Sequence, residues 1–136
     1  MADIELDLSG IENLLRATPT KGGRWLTAFA ESIVTDIKLS MNTSPPGKTY
    51  KRGKVSHVAS QEGFPPNVDI GTLRASIYQE NTGSFERTIN AGTEYAEYLE
   101  DGTEKMGARP FMQPAIDRAK GRIEEDAQRN LGLEDV

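Results

Sequence analysis

Apolar residues recur every four positions from Trp25 through Phe29, Ile33 and Ile37 to Met41, with Leu26, Ala30 and Val34 beside them. On a helix this stripe covers roughly half of the cylinder and predicts a long helix over Arg24 to Asn42 with a broad buried face. Burying five such side chains contributes roughly 1.5–3 kcal/mol each, whereas fixing some twenty backbone residues costs roughly 1–2 kcal/mol apiece. The helix therefore needs a partner surface.

Upstream, Ser9-Gly-Ile-Glu12 has the spacing of a capping box, which predicts a short helix over Ile11 to Ala17. Thr18-Pro19 and the pair Gly22-Gly23 are expected to separate it from the long helix. Downstream, Thr72 to Ile77 reads as a helical turn entering a strand over Ile77 to Gln79. Phe85, Arg87, Ile89 and Ala91 alternate with polar neighbours as a half-buried strand does, and Asn81-Thr-Gly83-Ser84 supplies the turn between the two strands. Such an antiparallel hairpin is marginal alone and gains stability when a helix packs across it.

The last predicted helix runs from Met112 to Leu131, with Met112, Ala115, Ile116, Ala119, Ile123 and Ala127 on one narrow face. Pro114 fits it only in the first turn. Glu124, Glu125 and Asp126 lie toward the wrong end for its dipole, partly offset by Arg129. Between the long helix and the hairpin, residues 43–71 hold four of the seven prolines and four of the thirteen glycines. They read as a long loop, of a length that is usually functional or disordered, in which Val55 to Ala59 is a candidate for a further strand. The expected class is α+β: a small antiparallel sheet packed against a long N-terminal helix and a C-terminal helix, with a long basic Pro/Gly loop.

Composition fits one domain. The chain has 136 residues, 36% hydrophobic and 27% charged, as a soluble globular protein does. Residues 1–136 are read as a single domain, with 1–23 a short helix and linker and 132–136 a frayed tail. The absence of cysteine excludes disulfide frameworks, thiol catalysis and thiolate metal sites. No apolar run approaches a membrane span, and MADIELDLSG is acidic where a signal peptide would be basic, so no membrane partner is expected.

A net charge of −5 argues against a surface that grips nucleic acid everywhere, but the average hides a segregation. Ile37 to Gln61 contains no acidic residue and five basic ones, Lys38, Lys48, Lys51, Arg52 and Lys54; the remaining 11 of the 16 basic side chains share the rest of the chain with all 21 acidic ones. Lys48, Lys51, Arg52 and Lys54 could neutralise phosphates, and Tyr50 could stack on a base. The same charges could meet acid on a neighbouring subunit, or only water.

Reactive chemistry is not visible. The one histidine, His57, stands in the basic loop without the partners of a nucleophilic triad. No zinc-ligand cluster, phosphate loop or dinucleotide fingerprint occurs. Glu97, Glu100, Asp101 and Glu104 lack the spacing of a calcium loop and read as a solvated acidic turn. No enzymatic activity and no cofactor are expected.

Residues 95–115, YAEYLEDGTEKMGARPFMQPA, carry a resemblance: Tyr95-Ala96, Tyr98-Leu99-Glu100, Gly102-Thr103, Ala108-Arg109-Pro110-Phe111 and Pro114-Ala115, in that order. Upstream it extends through Pro46-Gly47, Tyr50, Arg52-Gly53, Ala59-Ser60, Gly63 and Pro65-Pro66 to Asp69-Ile70-Gly71, Leu73 and Ser76-Ile77. Over about residues 24–131 the chain resembles the tail-completion and head-tail joining proteins of long-tailed bacteriophages, departing at Ile70, where threonine is more usual.

Within the signature, Gly102 suits a backbone geometry that other residues avoid, Pro110 sets the approach to the last helix, and Phe111 can plug the junction of sheet and helix. Arg109 could pair with Glu100 or with a carboxylate across an interface. The resemblance implies a structural virion protein in a ring of itself, a hexamer by the symmetry of tail tubes. Its partners would be the tail tube or tail terminator and the head connector, with a possible passing contact to genomic DNA. It would be assembled in the host cytoplasm. Alternatives are a head-completion adaptor or minor tail component, and a small nucleic-acid-binding protein or nuclease acting through the basic loop.

Overall fold

The structure is a computed structural model, and residues 2–42, 46–52, 55–60, 72–93, 96–104, 107–108 and 110–132 of it are described. Its elements in chain order are β1 (Ala2–Glu5), α1 (Glu12–Ala17), α2 (Pro19–Asn42), β2 (Pro46–Arg52), β3 (Val55–Ser60) and α3 (Thr72–Ala75). They continue as β4 (Ile77–Gly83), β5 (Glu86–Ala91), α4 (Ala96–Asp101), α5 (Gln113–Lys120) and α6 (Ile123–Leu131). The α+β class is as expected from the sequence.

Helix α2 is the centre of the molecule. Leu26, Phe29, Ala30, Ile33, Val34, Ile37 and Met41 are buried along it, and it touches β4 and β5 of the sheet as well as α1, α5 and α6. Leu15, Ile77, Ile89, Ala91, Phe111, Met112, Ala115, Ile116 and Leu131 complete one continuous core. The sheet is antiparallel in the order β1-β5-β4. Ile77 opposes Ala91 and Gln79 opposes Ile89 across β4 and β5.

Four expectations are corrected. Thr18-Pro19 and the two glycines do not delay α2, which begins at Pro19, because proline costs nothing in a first turn. The capping box does not form: Ile11 is the N-cap of α1 without a side-chain cap bond, and the Ser9 amide donates instead to Asp7 Oδ1 at 3.1 Å. The predicted final helix is two helices, α5 and α6, separated by Gly121-Arg122. Glu124, Glu125 and Asp126 thereby fall in the first turn of α6, the end where negative charge is favourable. Fourth, residues 43–71 are not all loop, since β2 and β3 pair there as an antiparallel hairpin with Tyr50 opposite His57 and Lys51 opposite Ser56. The candidate strand at Val55 is part of it. Residues 61–71 and 133–136 lie outside the described residues.

Besides β2, one further strand is absent from the expectations. β1 adds to the far side of β5, with Asp3 opposite Asn90 and Ile4 opposite Ile89.

Candidate functional site

The segment that carries the resemblance folds as a joint. β5 ends at Ala91 and leads into the short helix α4, whose Ala96 is fully buried. α4 stops at Gly102, the one described residue outside the ordinary backbone region, with φ 80°. Its N–H reaches back to the Tyr98 carbonyl at 2.8 Å, closing the helix in the left-handed C-terminal manner that glycine permits without a Cβ penalty.

Glu100 then reaches across to the start of α5. Its Oε1 accepts from the backbone N–H groups of Phe111 at 3.0 Å and Met112 at 2.9 Å, and its Oε2 accepts from that of Gln113 at 2.9 Å. α5 has no side-chain cap from its own N-cap residue, Met112. A carboxylate distant in sequence thus satisfies amides that the first turn leaves free, at the end where the helix dipole favours negative charge. Pro114 sits in that first turn as required, and Phe111 and Met112 are fully buried beneath it.

Of the four carboxylates read as a solvated acidic turn, Glu100 is therefore corrected: it is half-buried and bonded to backbone. Glu97, Asp101 and Glu104 are exposed. Tyr95 and Arg109 lie outside the described residues, and with them the proposed pairing of Arg109 with Glu100. Thr103 is exposed and Pro110 half-buried.

Lys48, Tyr50, Lys51 and Arg52 stand on β2 and His57 on β3, so the hairpin brings the basic residues and the only histidine into one ribbon. Lys54 is outside the described residues. The hairpin forms a sheet of its own, separate from the three-stranded one.

Sequence reasoning did not single out a second construction, around Arg87. Its guanidinium is buried, 3% exposed, and faces no carboxylate among its bonded partners. Nε donates to Thr27 Oγ1 at 3.2 Å, Nη1 to the carbonyls of Gly83 and Glu86 at 2.8 Å and of Ser84 at 3.3 Å, and Nη2 to that of Gly23 at 3.2 Å. The five donors of its fork are spread over the β4–β5 turn and the first turns of α2. Burial pushes its pKa below the ordinary arginine value, because the charged form loses hydration. The signal was present: Arg87 occupies an apolar position in the alternation of β5.

At the α5–α6 bend, Arg118 Nε pairs with Asp36 at 2.9 Å, and the Arg122 guanidinium lies 5.1 Å from the centroid of Phe29. Phe29 in turn packs on Trp25, ring centroids 5.2 Å apart. These contacts fix the bend against α2.

Among the described residues, no group of three His, Asp or Glu side chains is placed to hold a metal ion, and no helix is long and apolar enough to cross a membrane. The arrangement supplies braces, caps and clamps. Compared with protein-family models, with curated proteins and with solved structures, the chain has no match.

Proposed function

We propose that this chain is a structural subunit of a long-tailed bacteriophage that completes the tail and joins it to the head connector, as a member of a ring of about six copies. The observation that carries the reading is the fate of its signature segment. Four of its described residues are spent on construction: Gly102 turns the chain, Glu100 caps α5, Pro114 starts it and Phe111 fills the core. Such a joint holds a subunit's shape under assembly, and its sequence order resembles that of the tail-completion and head-tail joining proteins.

The test is a symmetry-resolved reconstruction of particles in which this subunit carries a bulky tag. Added density in a ring at the head-proximal end of the tail is the expected result. Density at the distal tip, or none in the virion, would refute the reading.

A second reading is favoured by the hairpin. A two-stranded ribbon bearing Lys48, Tyr50, Lys51 and Arg52 has the form of elements that enter a nucleic-acid groove. It requires binding that weakens steeply with salt and is abolished by charge reversal on β2.

A further inference from the structure

The bend between α5 and α6 lacks the usual marks of a helix end. No proline stands at it, and Gly121 stays in the right-handed helical region at φ −69° and ψ −14°. Arg122 alone leaves that region, with φ −125°, about 60° from the helical value. It gives α6 no side-chain cap. The amides of residues 123–125 therefore lack the acceptors that Ala119, Lys120 and Gly121 would supply in a continuous helix. The turn before the bend is tightened, since the Arg122 amide donates to the Ala119 carbonyl at 3.1 Å, the shorter spacing that marks hinges inside helices. The apolar face keeps its phase across the bend: Ile116, Ala119, Ile123 and Ala127 follow at intervals of three, four and four. What holds the chain bent comes from α2, where Arg118 Nε meets Asp36 Oδ2 at 2.9 Å, and the Arg122 guanidinium lies 5.1 Å from the Phe29 ring centroid and 3.4 Å from Ser32 Oγ.

We infer that α5 and α6 are one helix held folded at Arg122 by these two arginine contacts, a hinge that straightens when they are released. Straightening gives the amides of residues 123–125 their missing acceptors and makes Lys120 with Glu124, and Arg122 with Asp126, neighbours one turn apart. Against this, Glu124, Glu125 and Asp126 lose their favourable place at a helix start. Ala127 and Leu131, the buried residues of α6, leave their packing on α1 and α2. Gains and losses of the same kind oppose each other, which is the condition for two arrangements of one segment. In the straight form the sides of α1 and α2 that α6 covers become accessible. The hinge is a property of the single subunit and does not depend on the ring.

Amide hydrogen exchange, followed residue by residue by NMR on the full chain, separates straightening from unfolding, because the two move the same amides in opposite directions. A variant carrying Arg118→Ala, Gly121→Ala and Arg122→Ala removes both contacts and the glycine. Its amides at residues 123–125, corrected for the intrinsic rate of each sequence, should become several-fold more protected than in wild type. Unchanged protection would overturn the hinge, since packing of Ala127 and Leu131 would then set the bend. Lower protection would overturn it too, since α6 would then be melting. Gly121→Ala alone, with both contacts intact, should leave these amides as they are; protection equal to that of the triple variant would overturn the role of the arginines. A charge swap gives the last arm. Asp36→Arg should raise protection by a smaller factor than the triple variant does, and adding Arg118→Asp should return it to the wild-type level. Failure of the swap to return it would overturn the Arg118 contact as a latch.

Discussion

Glu100 and Phe111 are eleven positions apart and are joined at 3.0 Å, carboxylate oxygen to backbone amide. The same carboxylate holds the next two amides, so one side chain on α4 fixes both the start of α5 and the depth at which Phe111 enters the core. Removing it strands three amides at a helix start over a buried ring. Glu100→Ala is expected to destabilise the protein by about 2–3 kcal/mol, the range of a lost cap combined with charge-assisted bonds. Glu100→Gln keeps one acceptor oxygen and should lose roughly half as much. Urea unfolding measures both, and equal losses for the two variants would mean that the carboxylate's charge and second oxygen contribute nothing.

That relationship shows where sequence reading succeeds and where it stops. The stripe of α2, the alternation of β5 and the positions of Pro114 and Gly102 were legible because each is a local matter of period or backbone geometry. The capping role of Glu100 was not, since the amides it serves lie beyond an intervening turn. The acidic first turn of α6 was misread for a similar reason: the apolar face continues through Gly121, and only packing against α2 reveals the bend. β1 was legible in principle. Ile4, Leu6 and Leu8 alternate with Asp3, Glu5 and Asp7, a strand period that its acidic content obscured.

Arg87 holds two parts of the fold together through four carbonyls and the Thr27 hydroxyl. Arg87→Met retains much of its length but leaves the carbonyls of Gly23, Gly83, Ser84 and Glu86 without this donor. Hydrogen bonds from a charged donor contribute about 1.5–3 kcal/mol each, and because Gly83, Ser84 and Glu86 are exposed and their carbonyls can be rehydrated, a loss of about 2–4 kcal/mol is expected for the whole set. Arg87→Lys should recover only part, having one nitrogen where the guanidinium has three. Thermal unfolding checks the order, which is wild type, then lysine, then methionine.

Gly102 is the site where a side chain meets backbone strain, at φ 80°. Gly102→Ala should cost about 1–2 kcal/mol, the penalty of the left-handed region for an L-residue. Gly102→Asn should cost less, since asparagine tolerates that region. Chemical denaturation of the three proteins tests the ranking, and an alanine variant as stable as wild type would contradict the assigned conformation.

Asp7 is held below the ordinary carboxylate value by the Ser9 backbone N–H first and the Ser9 hydroxyl second. Ser9→Ala removes only the lesser cause, so the Asp7 pKa should rise part of the way toward about 3.9. The sign for stability follows from a depressed folded pKa. The contribution is present above the unfolded value of about 3.9 and is lost as pH falls through the lower folded one. A carboxyl-resolved NMR titration of the two proteins is the measurement. An Asp7 that titrates at the ordinary value in wild type would remove the turn from the account of how α1 begins.

Two adjacent glycines in α2 offer a paired test of packing against propensity. A Cβ at Gly23 meets nothing within 4 Å, whereas one at Gly22 comes within 3.2 Å of Leu15 Cδ2 and 3.3 Å of Thr18 Oγ1. Both sit in helical backbone, where alanine is preferred over glycine by roughly 0.5–1 kcal/mol. Gly23→Ala should therefore stabilise the protein by about that amount, and it leaves the carbonyl that Arg87 uses in place. Gly22→Ala sets the same gain against crowding of fully buried Leu15, so its net effect should be near zero or unfavourable. Melting temperatures of the two variants decide the matter. If both rise equally, α1 can shift away from α2 freely, and the close approach at Gly22 is not what selects glycine there.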